Sequence, residues 1–434
     1  MTHFWQASLE PSLKPTPGLS AWQALRSGRW LTADRARAYS VILLAFYAIA
    51  VIGWIALSDG GIDRNGKPIG TDFSSFYAAG SLALEGHAAG IYDMAAHYAR
   101  EQQIFGAATP YYGWLYPPIF LLVAVPLALL PYSLALIVWQ GGSFALYLAV
   151  IAAILAKPRR DDGAIARLWL PVAAAFPAVF VNLGHGQNGF LTAGLLGAAL
   201  LSLQQRPLLS GILFGLLAYK PQFGLLIPVA LLAAGQWRAI TAATLAVIAL
   251  MAVTTLAFGA DIWWAFAAST ETSRKVLLEQ GDVGFEKLQS VFAAIRMWGG
   301  GVPLAYWVQG AASVAAIGGV AWLWRTSADR DLKATLLMIA TLLASPHALD
   351  YDLTISGPAI AFFVASSWSN GFRDFDISLL AAAWITPLLA RGIAGLTGIP
   401  LGLIAIVVLY ALTMRHAMRD PAKAAIGAPG ILQT

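Results

Sequence analysis

Long apolar runs separated by short polar breaks set the pattern of this chain. The first, 38–57 (AYSVILLAFYAIAVIGWIAL), carries no charge over about the 20 residues that a membrane-crossing helix requires. Further runs follow at 134–156, 168–183, 189–203, 208–219, 223–234, 239–258, 302–324, 334–344, 353–368, 377–390 and 392–414. Each predicts a helix, and together they predict an all-α polytopic bundle of about twelve spans. The runs flanking Lys220 and the one before Ser345 are short for a bilayer. Such helices are tolerated where their ends line a protein or water-filled cavity. Arg26, Arg29, Arg35 and Arg37 precede the first run and no small-residue cleavage site follows it, so residues 1–37 read as a cytoplasmic tail leading into an uncleaved helix. Residues 38–414 then form the membrane domain and 415–434 a second cytoplasmic tail.

The stretch 116–131 (YPPIFLLVAVPLALLP) is apolar yet cut by Pro117, Pro118, Pro126 and Pro131. Composition and charge decide how to treat it. Of 434 residues, 59% are apolar and only 11% charged, against about a quarter charged in soluble domains, which excludes a water-soluble globule. If 116–131 makes no separate crossing, 18 of the 27 Lys and Arg share the side of the amino-terminal tail; if it crosses, only 11 do. The positive-inside rule selects the first arrangement, with both termini cytoplasmic and a balance of +9 inside against −4 outside. The net charge of +5 is therefore a mark of topology, and no nucleic-acid partner is expected. The absence of Cys excludes disulfides, thiolate metal sites and a Cys nucleophile. Without GxxxxGK[ST], an ATP-driven pump has no support. A membrane enzyme, transporter or channel remains.

This topology leaves two long segments outside, 58–114 and 259–301, and short turns around His185, Lys220, His347 and Arg391. In the first segment Gly70-Thr71-Asp72 precedes Phe73, Phe76, Tyr77 and Gly80, an i, i+3, i+4, i+7 face that predicts a helix lying on the membrane. Asp72 at its amino terminus is favoured in its ionised form, which suits a general base and equally a plain helix cap. Tyr92, Asp93 and His97 read as surface residues. The cluster 182–188 (NLGHGQN) is either a tight turn or an intramembrane polar site. Lys220, in AYKPQ, either snorkels at a helix end or offers an ammonium to a phosphate. The stretch 345–352 (SPHALDYD) is a hydrated connector or a site; His347, Asp350 and Asp352 form no specific ligand set, so no metal is expected. In the second segment Asp261, Trp263, Trp264 and Phe266 read as an interfacial anchor, and Arg274, Lys275, Glu279, Asp282, Glu286 and Lys287 as a solvated face of mixed sign.

The order of Asp72-Phe73 with Phe76-Tyr77, Glu85-Gly86 with Tyr92-Asp93, Tyr116-Pro117-Pro118, Gly186-Gln187-Asn188, Lys220-Pro221, and Ser345-Pro346-His347 with Tyr351-Asp352 resembles glycosyltransferase family 87, of the GT-C membrane superfamily. The resemblance extends over roughly 43–411. It implies a GT-C bundle in the cell inner membrane that moves a hexose, mannose foremost, from a polyprenyl-phosphate donor to a lipid or glycan acceptor hydroxyl. Transfer would take place at the periplasmic or exterior face, with inversion and without a cofactor. It implies Asp72 as catalytic base, and His185, Gln187, Asn188, Lys220, His347, Tyr351 and Asp352 around the donor phosphate and sugar. Phe76, Tyr77, Tyr92 and Tyr116 would contact the acceptor or the loops.

The residue chemistry is compatible with that reading. One base suffices, because the departing phosphate leaves as a stable anion without a general acid. A protonated Lys220, His185 or His347 would neutralise its growing charge. The broken helices around Lys220 and His347 also fit a secondary transporter or a lipid or polysaccharide flippase, although no internal repeat supports one. An assembly subunit without catalysis is the third reading.

Overall fold

The computed structural model describes residues 20–156 and 162–418. Expectations for 1–19 with Lys14, for Lys157, Arg159 and Arg160, and for 419–434 with Arg419 and Lys423 lie outside the described residues. Among the described residues every extended regular element is helical, and the only β pairings are isolated bridges. Five helices are long and apolar enough to cross a membrane: Ala33–Ala56, Tyr132–Leu155, Trp237–Phe258, Val302–Arg325 and Asp376–Thr397. A bent pair, Leu168–Ala174 and Pro177–His185, makes a sixth when taken as one span. Its 45° bend has a local cause, since Phe176, preceding a proline, takes the extended conformation and interrupts the helix. Five shorter apolar helices, Pro118–Ala128, Gly189–Ser202, Pro207–Tyr219, Pro221–Ala233 and Leu401–Ala417, accompany them. The chain is thus an all-α membrane protein in which about half of the expected spans have full spanning length.

The first long helix presents an unpartnered apolar face. Ile42, Phe46, Ile49 and Ile52, spaced three or four apart, are 60% to 71% exposed, an apolar stripe without a protein partner. This helix begins at Ala33, earlier than the apolar run, because the Thr32 hydroxyl caps it by accepting from the Arg35 N–H at 3.3 Å. A short helix before it, Ala21–Ser27, is tied to the start of Asp376–Thr397: Arg26 pairs with Asp374 at 2.7 Å and the Trp30 indole donates to Ser378 at 2.7 Å.

Two expectations need correction. The runs 377–390 and 392–414 do not divide at Arg391. One helix, Asp376–Thr397, passes through it and ends at Gly398, whose φ of 72° is the left-handed stop that glycine permits, just before Pro400. The helix Thr71–Leu84, expected on the membrane surface, is enclosed by protein: Phe73, Ser74, Ser75, Phe76, Ala78, Ala79, Gly80 and Leu82 are all buried. Its small residues admit close neighbours, and at Gly80 the backbone of Leu121–Ala128 approaches so near that a Cβ would collide with the Ala124 carbonyl oxygen.

The proline-cut segment 116–131 folds back on the same helix. Tyr77 donates to the Leu130 carbonyl at 2.9 Å, and just beyond it Tyr132 donates to the Ile69 carbonyl at 2.7 Å. At the segment's other end Tyr116 and Phe120 pack on Phe76, with ring centroids at 5.2 and 5.0 Å. Both ends therefore lie beside the first half of Thr71–Leu84.

Candidate active site

The site is built on the turn between Pro177–His185 and Gly189–Ser202. Gly186 turns the chain with φ 65°, and its Cα lies so close to Phe73 that a Cβ would stand 2.6 Å from the Phe73 Cβ. Three side chains hold the turn. Asn182 accepts from the Gly189 N–H at 2.8 Å and donates to the Gln187 carbonyl at 3.0 Å; Gln140 donates to the same carbonyl at 2.9 Å; the Trp139 indole donates to the Gly186 carbonyl at 2.9 Å. The Gln187 side chain is thereby aimed, its carbonyl oxygen accepting from the Tyr116 hydroxyl and the Asn188 N–H, each at 3.0 Å. Its amide nitrogen donates to Asp72 Oδ2 at 3.0 Å.

Asp72 is not a helix cap. The cap position is Gly70, which makes no side-chain bond, and Asp72 lies in the first turn with its carboxylate directed across to Gln187 and His185. His185 Nδ1 is 3.7 Å from Asp72 Oδ1 and 3.1 Å from the Thr71 hydroxyl. Burial pushes the Asp72 carboxyl upward, but the His185 contact, the Gln187 donor and the charge of Lys287 together hold it below the usual carboxylate range. It is a carboxylate kept ionised with 28% of its side chain still open.

Lys220 and Asp352 form a second centre. Lys220, at the break between Pro207–Tyr219 and Pro221–Ala233, meets Asp352 Oδ1 at 2.6 Å with the two side chains only 3% and 1% exposed. The other Asp352 oxygen accepts from the Leu349 N–H at 3.0 Å. The ammonium also lies 5.2 Å from the centre of the Tyr351 ring, and that ring is 6.0 Å from His185. Tyr351 thus joins the two centres. On the other flank Tyr219 bonds Thr192 at 2.7 Å and stacks on Phe120, which packs on Tyr116.

The structure therefore brings together Asp72, His185, Gln187, Asn188, Tyr116, Lys220, Tyr351 and Asp352. Both side-chain polar atoms of Asn188 are buried without a hydrogen-bond partner. Tyr92 reaches the cluster from behind, donating to the Tyr116 carbonyl at 2.8 Å. Phe76 is fully packed and Tyr77 is occupied by Leu130, so these two shape the wall. Two charge expectations change. Lys220 is not a free ammonium, because Asp352 already neutralises it. Burial lowers His347 to about 4, so near neutral pH it carries no charge toward a phosphate. His97, expected at the surface, is buried, 3.2 Å from the Ser75 hydroxyl and 3.7 Å from Glu101.

Beyond His185 a cavity of about 660 Å³ opens between Pro177–His185 and Asp376–Thr397, lined among others by His185, Asp350, Glu286 and Arg391. Burial raises the Asp350 carboxyl, against the lowering charges of His185, Arg391 and Lys287. Sequence reasoning missed Gln140, Lys287 and Arg391 as site residues. Gln140 was detectable as the polar residue inside 134–156. Lys287 sits in a run of mixed charge and gives no local signal.

The family model described as Glycosyltransferase family 87 matches residues 114–346. The matched segment carries Tyr116, the Gly186–Asn188 turn and Lys220, and Asp72 joins it through its bond to Gln187. No curated protein and no solved structure matches the chain.

Proposed function

The chain belongs to glycosyltransferase family 87, and from that membership we propose that it transfers a hexose, mannose foremost, from a polyprenyl-phosphate donor to an acceptor hydroxyl, with Asp72 as general base. The observation that carries this reading is the Asp72 carboxylate itself: held ionised, oriented by Gln187, and partly open next to His185, which lines a cavity. As the acceptor oxygen attacks the sugar C1 from the face opposite the phosphate, its proton passes to Asp72. The bond from C1 to the phosphate oxygen breaks, its electron pair leaves with the phosphate, and the anomeric centre inverts. Gln187 and His185 keep the carboxylate in place, and the Lys220–Asp352 pair fixes Tyr351 against His185.

We place this chemistry on the outer face of the cell membrane, with both termini cytoplasmic. In this reading the twelve crossings are the five long helices, the bent pair, four of the five shorter apolar helices and the helices Arg330–Ala344 and Ser356–Asn370, with Pro118–Ala128 not counted as a crossing. The segment 116–131 is left on the outer side.

The test is transfer in membranes supplied with labelled polyprenyl-phosphate mannose, its product identified by mass spectrometry. Asp72→Asn should reduce the rate by about 10²–10⁴-fold, the usual contribution of a general base, with protein abundance and donor binding unchanged. Wild-type rates in that variant would sink the assignment.

A further inference from the structure

Lys220 is neutralised by Asp352 and His347 is uncharged, so of the positions first suggested for the donor phosphate only His185, already beside Asp72, offers it positive charge. Two other cations lie at the site. Lys287 acts electrostatically on Asp72, His185 and Asp350, and Arg391 acts on Asp350. Among the described residues, no hydrogen bond or ion pair engages either side chain. Arg391 stands six residues, about 9 Å, from the end of Asp376–Thr397 and lines the cavity beside His185. Snorkelling toward the membrane surface would account for an arginine at this depth, but not for the shape of the wall around it. Gly184, Gly392 and Gly395 line the same cavity. A Cβ on Gly184 or Gly392 would meet nothing within 4 Å, and one on Gly395 only Glu286 Cγ at 3.7 Å. The packing of this chain does not require those glycines. They keep open a slot flanked by Phe180, Leu388 and Leu396, with Arg391, Glu286 and Asp350 as its charged lining residues.

We propose that this cavity holds the donor, with Arg391 and Lys287 binding the phosphate and the glycine-lined face of Asp376–Thr397 receiving the first part of the prenyl chain. The inference rests on the donor reading above and gives it a site. A sugar phosphodiester carries one negative charge, and breaking its bond to C1 leaves a phosphomonoester with up to two. Two unpaired cations match the product side of that change better than the substrate side, so they favour departure of the phosphate. Asp350 and Glu286, on the same wall, face the sugar hydroxyls in this arrangement and not the phosphate.

The experiment measures binding of labelled undecaprenyl phosphate to the purified full-length protein in nanodiscs, with undecaprenol, inorganic phosphate and phosphatidylglycerol as competitors. Arg391→Gln and Lys287→Gln should each weaken binding at least about tenfold, with Arg391→Lys recovering part of the loss, as expected for charge-assisted phosphate contacts. Gly392→Leu, at a position where an added Cβ meets nothing within 4 Å, should weaken it too at an unchanged melting temperature. Undecaprenol and inorganic phosphate, each having half of the required chemistry, should compete poorly. Wild-type affinity in all three disruptive variants overturns the proposal, as does displacement by phosphatidylglycerol as effective as by unlabelled undecaprenyl phosphate. Because binding is read without sugar transfer, a wild-type protein that binds through Arg391 but transfers nothing counts against the transferase chemistry alone. Undiminished transfer by Arg391→Gln and Gly392→Leu counts against the cavity alone.

Discussion

The Asp72 carboxyl carries a pH signature that follows from its neighbours. Burial favours the neutral form, yet His185, Gln187 and Lys287 outweigh it and keep the carboxyl below its ordinary range. Activity measured as kcat/KM should therefore be complete near neutral pH and fall only as the pH drops through this depressed value. Replacing Gln187 with Leu removes a donor to the charged form, so the acidic limb should move to higher pH; a limb that stays put would refute the role given to Gln187. The same depression makes ionised Asp72 stabilising above the unfolded-state carboxyl pKa, a contribution lost as pH falls through the folded value. Lys220 makes a different prediction. Lys220→Met leaves the Asp352 carboxylate buried and unpaired, which should cost about 3–5 kcal/mol, whereas Lys220→Met with Asp352→Leu should recover most of the loss in a denaturation experiment. At this scale sequence reading worked where a polar residue stood against an apolar background, as at Asp72 and the Gly186–Asn188 turn. It could not pair Lys220 with Asp352, because 132 positions separate them and only the tertiary fold brings them together.

Among the elements, the helix Thr71–Leu84 matters most, because Asp72, the proposed base, rides on it. Its two apolar-to-small faces pack on Leu121–Ala128 and Met94–Phe105, and the approach at Gly80 leaves no room for a side chain. Gly80→Val should therefore displace the helix, lower stability by about 1–3 kcal/mol and cut transfer about a hundredfold, since a shift near 1 Å at a catalytic group has that effect. Gly90→Ala, at a position where a Cβ meets nothing within 4 Å, is the matched control and should leave both unchanged. Activity of Gly80→Val equal to that of the control would mean that the helix does not set the position of Asp72. The helix itself was legible in the spacing of Phe73, Phe76, Tyr77 and Gly80. Its burial was not, because small residues such as Ser74, Ser75, Ala78 and Ala79, all buried here, carry no sign in the sequence of the partner packed against them. The opposite error occurred at Arg391, where one charge in an apolar run was read as a break although Gly398 and Pro400, the actual stop, stood seven and nine residues later.

Over the whole molecule, contacts between distant segments test the topology by parity. Twelve crossings with 116–131 left outside put Asp72, His185, Lys220, Lys287 and Asp352 on one side. These residues meet: Asp72 with His185 and Gln187, Lys220 with Asp352, Lys287 within the field of Asp72. The same count puts Arg26, Gln204, Arg330, Asp374, Asp376 and His416 on the other side. They meet as well: Arg26 with Asp374, Arg330 with Gln204 at 2.8 Å, and His416 with Asp376 at 2.8 Å, where Arg415 also pairs. A separate crossing by 116–131 would place Asp72 opposite Gln187, which their 3.0 Å bond forbids. The basic residues of the second group then sit where the positive-inside rule expects the cytoplasm. Because the chain has no Cys, each introduced one is the sole target for a thiol reagent. Asp59→Cys and Asp282→Cys, both at exposed positions, should react with a membrane-impermeant maleimide on intact cells. Gln205→Cys and Ser369→Cys, equally exposed, should react only after permeabilisation. The reverse labelling would invert the protein and put the Asp72 site in the cytoplasm, and mixed labelling within either pair would break the twelve-crossing count itself.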